Sequence, residues 1–149
     1  MARPTFALLI AALVASCSPT DPSESSQLQA NMAKWDARGV ATYQIVLQRG
    51  ACECLAEEVI PIRVSVTGED ISSVIDERTG EVVTRELFHA RTVEGLFDLI
   101  HDALAAGAYS VIVSYDRQLG YPREISIDYQ ANVADDEIII IAELVPTGS

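Results

Sequence analysis

Two segments of the chain have apolar residues at every second position, and this pattern limits the fold more than any other feature. Tyr43, Ile45 and Leu47 alternate with Thr42, Gln44 and Gln48, and the pattern returns between Ile60 and Val66. Successive side chains of a strand point to opposite sides, so a period of two is typical of a sheet with one buried face. Both segments therefore predict strands of a half-buried sheet.

A helix is predicted before these strands, over about Ser26–Arg38. Leu28, Met32 and Trp35 recur at helical spacing, and Gly39 is placed to end the helix. Trp35 is therefore interpreted as a core residue rather than as a platform for a ligand.

A second helix is predicted from about Val93 to Ala106. Thr92 is suited to cap it, Glu94 favours its positive start, and Gly107 ends it. Its apolar stripe consists of Val93, Leu96, Phe97, Ile100 and Leu104.

The remaining strands complete an order of one helix and three strands that occurs twice, which suggests a pseudo-repeat. They are predicted near Ile71–Asp76, Tyr109–Tyr115, Arg123–Tyr129 and Glu137–Leu144. Consecutive strands that follow a helix favour an antiparallel sheet covered on one face. The predicted fold is therefore α+β, with about six antiparallel strands and two helices on one face. Gly120-Tyr121-Pro122 is interpreted first as the hairpin connection before Arg123, with Tyr121 as a candidate contact residue in the alternative.

The N-terminus has the pattern of a bacterial lipoprotein signal peptide, with Arg3, an apolar run over Phe6–Val14, and small residues before Cys17. The run is too short to span a membrane. Cleavage after residue 16 would leave Cys17 to carry acyl chains such as palmitate, and two or three chains anchor a protein stably. Ordinary secretion with cleavage near Ala15, or a retained N-terminal anchor, remain as alternatives.

This reading divides the chain into a signal at 1–16, a lipidated tether at 17–25, one domain at 26–145 and a tail at 146–149. It predicts a location in the bacterial cell envelope, outside the cytoplasm. Since Ser18 follows the cysteine, the periplasmic face of the outer membrane is favoured in a double-membraned host.

The mature chain has nine basic and 22 acidic residues, a charge of about −13, which argues against nucleic acid as a partner.

One ordered set of residues resembles a bacterial family of secreted or lipid-anchored proteins that is classed only as a domain of unknown function. The set comprises Trp35, Tyr43, Cys52-Glu53-Cys54, Thr92 to Asp98, Tyr115-Asp116, Gly120-Tyr121-Pro122, Ile125 to Tyr129, and Asp135-Asp136-Glu137. The resemblance covers about Leu28 to Leu144. It implies a small, non-enzymatic, extracytoplasmic domain with no assigned reaction or ligand.

Cys52 and Cys54 are the strongest candidates for chemistry, since lipidation of Cys17 leaves them as the remaining pair. The Cα atoms of residues i and i+2 in a strand lie near the upper limit for a disulfide, so a bridge would need a bend. A structural disulfide, a redox pair, free thiols and intermolecular pairing all remain open. Zinc is disfavoured because His89 and His101 have no recognisable ligand spacing.

Two other polar groupings have simpler interpretations. Asp98, His101 and Asp102 are neighbours on the polar side of the second helix, where an acid–base site and a solvated face look alike; a solvated face is favoured. Asp135-Asp136-Glu137, with Asp128, matches no calcium loop and is interpreted as a charged turn.

The sequence therefore predicts a lipid-anchored, non-catalytic envelope domain that binds a protein or acts as an accessory or inhibitor. No cofactor and no metal are expected, and the oligomeric state is left open. The alternative is a thiol-active envelope protein that uses Cys52 and Cys54. An enzyme that uses Asp98 and His101 is a remote third.

Overall fold

A computed structural model of the protein describes residues 23–50, 59–83, 90–133 and 136–146. Two helices and six strands follow one another along these residues. In chain order they are α1 (Glu24–Asp36), β1 (Thr42–Arg49), β2 (Ile62–Thr67), β3 (Asp70–Asp76), α2 (Val93–Ala106), β4 (Ser110–Tyr115), β5 (Pro122–Asp128) and β6 (Ile138–Leu144). One helix followed by three strands thus occurs twice, as predicted.

The six strands form one antiparallel sheet in the order β3-β2-β1-β6-β5-β4. The two helices contact each other, and both also contact β4. The predicted α+β fold, with helices packed against an antiparallel sheet, is confirmed. Corresponding strands of the two halves run in opposite directions, since three positions separate them in an antiparallel sheet. The halves therefore share an order of elements, while their corresponding strands differ in direction.

Helix α2 has the predicted bounds because both of its ends are encoded locally. The hydroxyl of Thr92 accepts a hydrogen bond from the Gly95 amide at 3.0 Å. At the other end, Gly107 adopts a φ of 71°, which an L side chain rarely tolerates.

Helix α1 spans Glu24–Asp36 rather than the predicted 26–38. Its cap is Ser23, whose side chain accepts a hydrogen bond from the Ser26 amide at 3.3 Å. Two residues assigned to the tether are therefore helical, because apolar spacing locates the middle of a helix better than its cap.

The core lies between the helices and one face of the sheet. Its buried residues include Leu28, Trp35, Tyr43, Ile45, Leu47, Ile62, Val64, Val66, Leu96, Phe97, Ile100, Ile125, Ile127 and Ile140. Each fully buried aliphatic side chain contributes about 1.5–3 kcal/mol to folding. Trp35 is only 3% exposed, so its predicted place in the core is confirmed.

The opposite side of the sheet is called the open face. No helix contacts it among the described residues. It carries Gln44, Val46, Gln48, Arg63, Ser65, Ser110, Ile112, Ser114, Glu124, Ser126, Asp128, Ile139, Ile141 and Glu143. Within the described ranges, neither helix is long and apolar enough to cross a membrane.

Candidate functional site

The three cysteines singled out in the sequence, Cys17, Cys52 and Cys54, lie outside the described residues. Gly50 is the last described residue before the pair. Its amide donates a hydrogen bond to the Ile139 carbonyl oxygen at 2.9 Å, so the pairing of β1 with β6 continues to Gly50.

The second helix presents its polar residues to solvent, as the favoured interpretation predicts. His101 Nδ1 lies 3.4 Å from Asp102 Oδ1, and the two side chains are 70% and 80% exposed. Asp98 is exposed as well. At these exposures the three side chains lie on a solvated surface of the helix.

The acidic turn is described only in part, because Asp135 lies outside the described residues. Asp128 accepts a hydrogen bond from the Gln130 amide at 3.0 Å, which is typical of an Asx turn. Across the described ranges, no three His, Cys, Asp or Glu side chains are arranged to hold a metal ion.

A cluster of aromatic side chains around the Glu94 carboxylate brings together residues that are distant in sequence. Trp35 Nε1 donates to Glu94 Oε1 at 2.7 Å, and the Tyr43 hydroxyl donates to Glu94 Oε2 at 3.1 Å. The same hydroxyl accepts a hydrogen bond from the Val93 amide at 2.8 Å. The cluster therefore joins α1, β1 and the start of α2.

The rings of this cluster pack edge to face. The centroid of Trp35 lies 5.3 Å from that of Tyr43 and 6.4 Å from that of Tyr121. Burial, and secondarily the nearby Glu94 carboxylate, raise the pKa of Tyr43 above its ordinary value. Its hydroxyl therefore stays protonated at physiological pH and serves as a hydrogen-bonding link.

The loop between β4 and β5 packs against α1 beside the aromatic cluster. Gly120 lies so close to α1 that a Cβ atom would sit 2.6 Å from the Asn31 carbonyl oxygen. Lys34 Nζ and the Arg38 guanidinium donate to loop carbonyls at 3.1 and 2.7 Å. Tyr121 is consequently only 5% exposed, so its suggested role as a surface contact is wrong.

A cleft of about 370 Å³ opens beside the aromatic cluster, lined by Trp35, Tyr43, Tyr121, Leu119 and Leu144 among others. The polar atoms of Trp35 and Tyr43 are already paired with Glu94. We therefore interpret this region as a structural joint of the fold. Sequence reasoning placed Glu94 only at the helix start, and no local pattern relates it to Trp35 or Tyr43.

The open face is the second notable surface, and it combines exposed isoleucines with unburied carboxylates. Ile112 is 64% exposed and Ile141 is 47% exposed. Ile141 lies opposite Glu124 of β5 and Gln48 of β1. Glu143, two residues after Ile141 on β6, is exposed and lies opposite Val46 of β1. Exposed isoleucines and carboxylates therefore lie side by side on this surface, with Glu124 and Glu143 next to Ile141.

The fold and its surfaces define a small α+β domain whose sheet has one face that neither described helix covers. The chain belongs to a family of unknown function, DUF6174, whose model matches residues 27–146. This range confirms the part of the predicted resemblance that concerned a family without an assigned role. No curated protein and no solved structure matches the chain significantly.

Proposed function

We propose that the mature protein is a lipid-anchored, non-catalytic domain of the cell envelope that binds another protein through its open face. The observation that carries the binding role is the exposure of Ile141, at 47%, on a central strand of the sheet. A large aliphatic side chain in that position costs solubility without contributing to the core, and exposed apolar patches commonly mark interaction sites.

The anchor is supported by the signal pattern that ends at Cys17. The first helix begins at Glu24, so only a short stretch separates the lipidated residue from the folded domain. Six residue steps from Cys17 to Ser23 span at most about 20 Å. The domain would therefore stay close to the membrane surface, where its partners would be other envelope proteins.

The chemistry of the open face favours a partner that presents basic side chains next to an apolar one. Glu124 and Glu143 flank Ile141 and are exposed. The whole chain carries a formal charge of −12, so a basic surface would be attracted during encounter as well as in the complex.

A non-catalytic role is supported by how the polar groups are used. Glu94 accepts hydrogen bonds from Trp35 and Tyr43, and these contacts hold the fold together. The His101–Asp102 pair is exposed on a helix surface. Both observations assign ordinary structural or solvating roles to the groups that would otherwise suggest acid–base chemistry.

Replacing Ile141 with a photo-crosslinking residue in living cells tests the binding role. We expect one specific envelope protein to be captured at Ile141, and the purified pair to bind at least about tenfold more weakly after Ile141→Lys. Val82→Lys is the matched control, because Val82 is 81% exposed but lies beside β3 at the far edge of the sheet. Equal binding by the two variants would contradict the proposal.

The anchor is tested separately by labelling cells with a lipid precursor. We expect label in the wild-type protein and none in Cys17→Ala. Label that persists in the variant would overturn lipidation at Cys17 while leaving the binding experiment interpretable.

The second candidate is a thiol-active envelope protein, favoured by Cys52 and Cys54, which only Glu53 separates. A redox titration of the mature protein distinguishes the two roles. A pair poised near the thioredoxin range supports thiol activity, whereas a pair that stays oxidised under strong reductant contradicts it.

A further inference from the structure

The sequence from Tyr109 to Tyr115 reads the same in both directions: Tyr-Ser-Val-Ile-Val-Ser-Tyr. It includes all of β4, which is the last strand at one edge of the sheet. Of the six described strands, β4 is the one without a charged residue. A strand of this kind, paired antiparallel with itself, meets identical chemistry at every position.

The hydrogen-bonding direction of β4 agrees with such pairing. The Tyr109 amide donates to the Tyr129 carbonyl oxygen on the β5 side at 3.4 Å. Because bonding directions alternate along an antiparallel strand, the N–H and C=O groups of Ser110, Ile112 and Ser114 point away from β5. No described strand lies on that side of β4.

We propose that β4 pairs antiparallel with β4 of a second copy of this chain, with a two-fold axis at Ile112. In this register Ile112 faces Ile112 of the second copy, and Ser110 faces Ser114. All three outward-pointing residues then meet outward-pointing residues, which allows about six backbone hydrogen bonds across the junction. Any register shifted by one residue would oppose outward-pointing groups to inward-pointing ones.

The aromatic ends of the palindrome fit the same register, since Tyr109 of one copy aligns with Tyr115 of the other. Tyr109 is 67% exposed. Ile112, which is 64% exposed, would be covered by its own counterpart, and cross-strand pairs of this type stabilise a sheet.

The symmetry of the dimer is compatible with two anchors in one membrane, a point that rests on the proposed function. A two-fold axis between antiparallel strands runs perpendicular to the sheet, so both copies keep their helices on the same side. Each α1 contacts β4, so the two chain starts at Glu24 lie on that same side. Both lipids can therefore enter one bilayer.

Pairing of two six-residue strands buries less area than the roughly 1,200–2,000 Å² of typical stable interfaces. We therefore expect weak association in solution and stronger association on a membrane, where anchoring raises the effective concentration. Two chains of net charge −12 also repel each other. Added salt should accordingly strengthen the dimer.

The register is tested with a photo-crosslinking phenylalanine analogue in place of Tyr109 in the full-length protein, expressed so that it is processed and anchored. We expect a covalent dimer whose cross-linked peptide contains Tyr115. A cross-link only to a different protein would overturn the second copy as the occupant of this edge.

The two-fold axis is tested by charge exchange at Ile112, measured by sedimentation of the purified protein in detergent and on vesicles. Ile112→Lys and Ile112→Glu should each weaken self-association at least about tenfold, because like charges face each other. An equal mixture of the two variants should restore the dimer. Val82→Lys and Ile141→Lys are matched controls that should dimerise as the wild type does.

The outcomes separate this inference from the proposed function. A lipid-labelled wild-type protein that remains monomeric at every concentration and on vesicles would overturn the pairing alone. Dimerisation of unlabelled protein would support the pairing and contradict the anchor. If charge at Ile112 impairs folding, as checked by circular dichroism, the Tyr109 cross-link still decides the inference.

Discussion

The two edges of the sheet differ in how they are protected from pairing with another chain. Strand β3 carries charged residues at both ends, Asp70 and Asp76, and an extra residue, Ser72, interrupts its pairing with β2. A neighbouring segment also covers it, since Val83 N donates to Val74 O at 3.0 Å. These are the devices by which natural proteins block edge-to-edge association.

Strand β4 has none of these devices. It is uncharged, the extra residue of its pairing with β5 lies on β5, and no described segment covers its outer side. Part of the outer backbone of β3 is already paired with the segment around Val83, whereas no described strand pairs with the outer backbone of β4. The difference indicates that one edge is closed to partners and the other is adapted to a particular one.

The largest expected effect concerns the loop that holds the β4 edge. Gly120 has a φ of 86°, and a Cβ atom there would meet the Asn31 carbonyl oxygen at 2.6 Å. Gly120→Ala should therefore lower the free energy of unfolding by about 3 kcal/mol, from backbone strain and overpacking together. Denaturant titration measures the change.

Gly80, in the turn that follows β3, supplies the matched control. Its φ is 75°, but a Cβ atom there would meet nothing within 4 Å. Gly80→Ala should cost only about 1–2 kcal/mol, from backbone strain alone. Equal losses for the two variants would show that the close approach to α1 does not constrain the β4 side.

The next effect concerns the aromatic cluster. Trp35→Phe removes the 2.7 Å hydrogen bond to Glu94 and should lower the free energy of unfolding by about 1–2 kcal/mol. In a Glu94→Ala background the same change should cost markedly less. Because α1 contacts β4, hydrogen exchange should increase at Val113 more than at Ile75, whose amide faces β2. An equal increase in hydrogen exchange on both strands would contradict the idea that the aromatic cluster supports β4 more than β3.

Acid should weaken the β3 edge selectively. Hydrogen bonds from Arg78 hold the pKa of Asp76 below its usual range, and the Arg63 guanidinium does the same for Glu77. Lowered folded-state pKa values stabilise the fold above the unfolded values of about 4, and this contribution is lost as pH falls below them.

We therefore expect amide exchange at Val83 to accelerate below about pH 4, relative to the intrinsic rate. The amide of Val111, on uncharged β4, is the internal control. Burial raises the pKa of Glu24 near that edge, so protonation there should if anything stabilise it. Parallel acceleration at both amides would count against a local effect.

The smallest effect is on the stability of the monomer. Ile112→Lys and Val82→Lys replace side chains that are 64% and 81% exposed, so each should change the free energy of unfolding by less than about 0.5 kcal/mol. Thermal denaturation at low concentration measures this. A large loss of unfolding free energy for Ile112→Lys alone would mean that impaired folding causes its weaker association.

Features encoded by neighbouring residues could be predicted from the sequence. The bounds of α2 follow from Thr92 and Gly107, and the strands follow from the two-residue alternation that places Ile45 and Val64 in the core. The start of α1 was misplaced by two residues, because Ser23 and Ser25 are equally good caps when only the sequence is considered.

The meeting of distant residues could not be predicted. Trp35 and Glu94 are 59 positions apart, and no periodicity relates a tryptophan on one helix to a carboxylate on another. Tyr121 was interpreted as a turn residue open to contact, but docking of its loop onto α1 buries it to 5% exposure.

The sequence by itself determined the helices, the strands and their buried sides, because these depend on side chains a few positions apart. Only the tertiary structure decided the strand order, which makes β4 an edge instead of an interior strand. The palindrome from Tyr109 to Tyr115 is visible in the sequence. It suggests pairing with a second copy only once β4 is known to be an edge strand, with no described strand on its outer side. Strand order depends on packing between residues far apart in the chain, and local patterns do not record that packing.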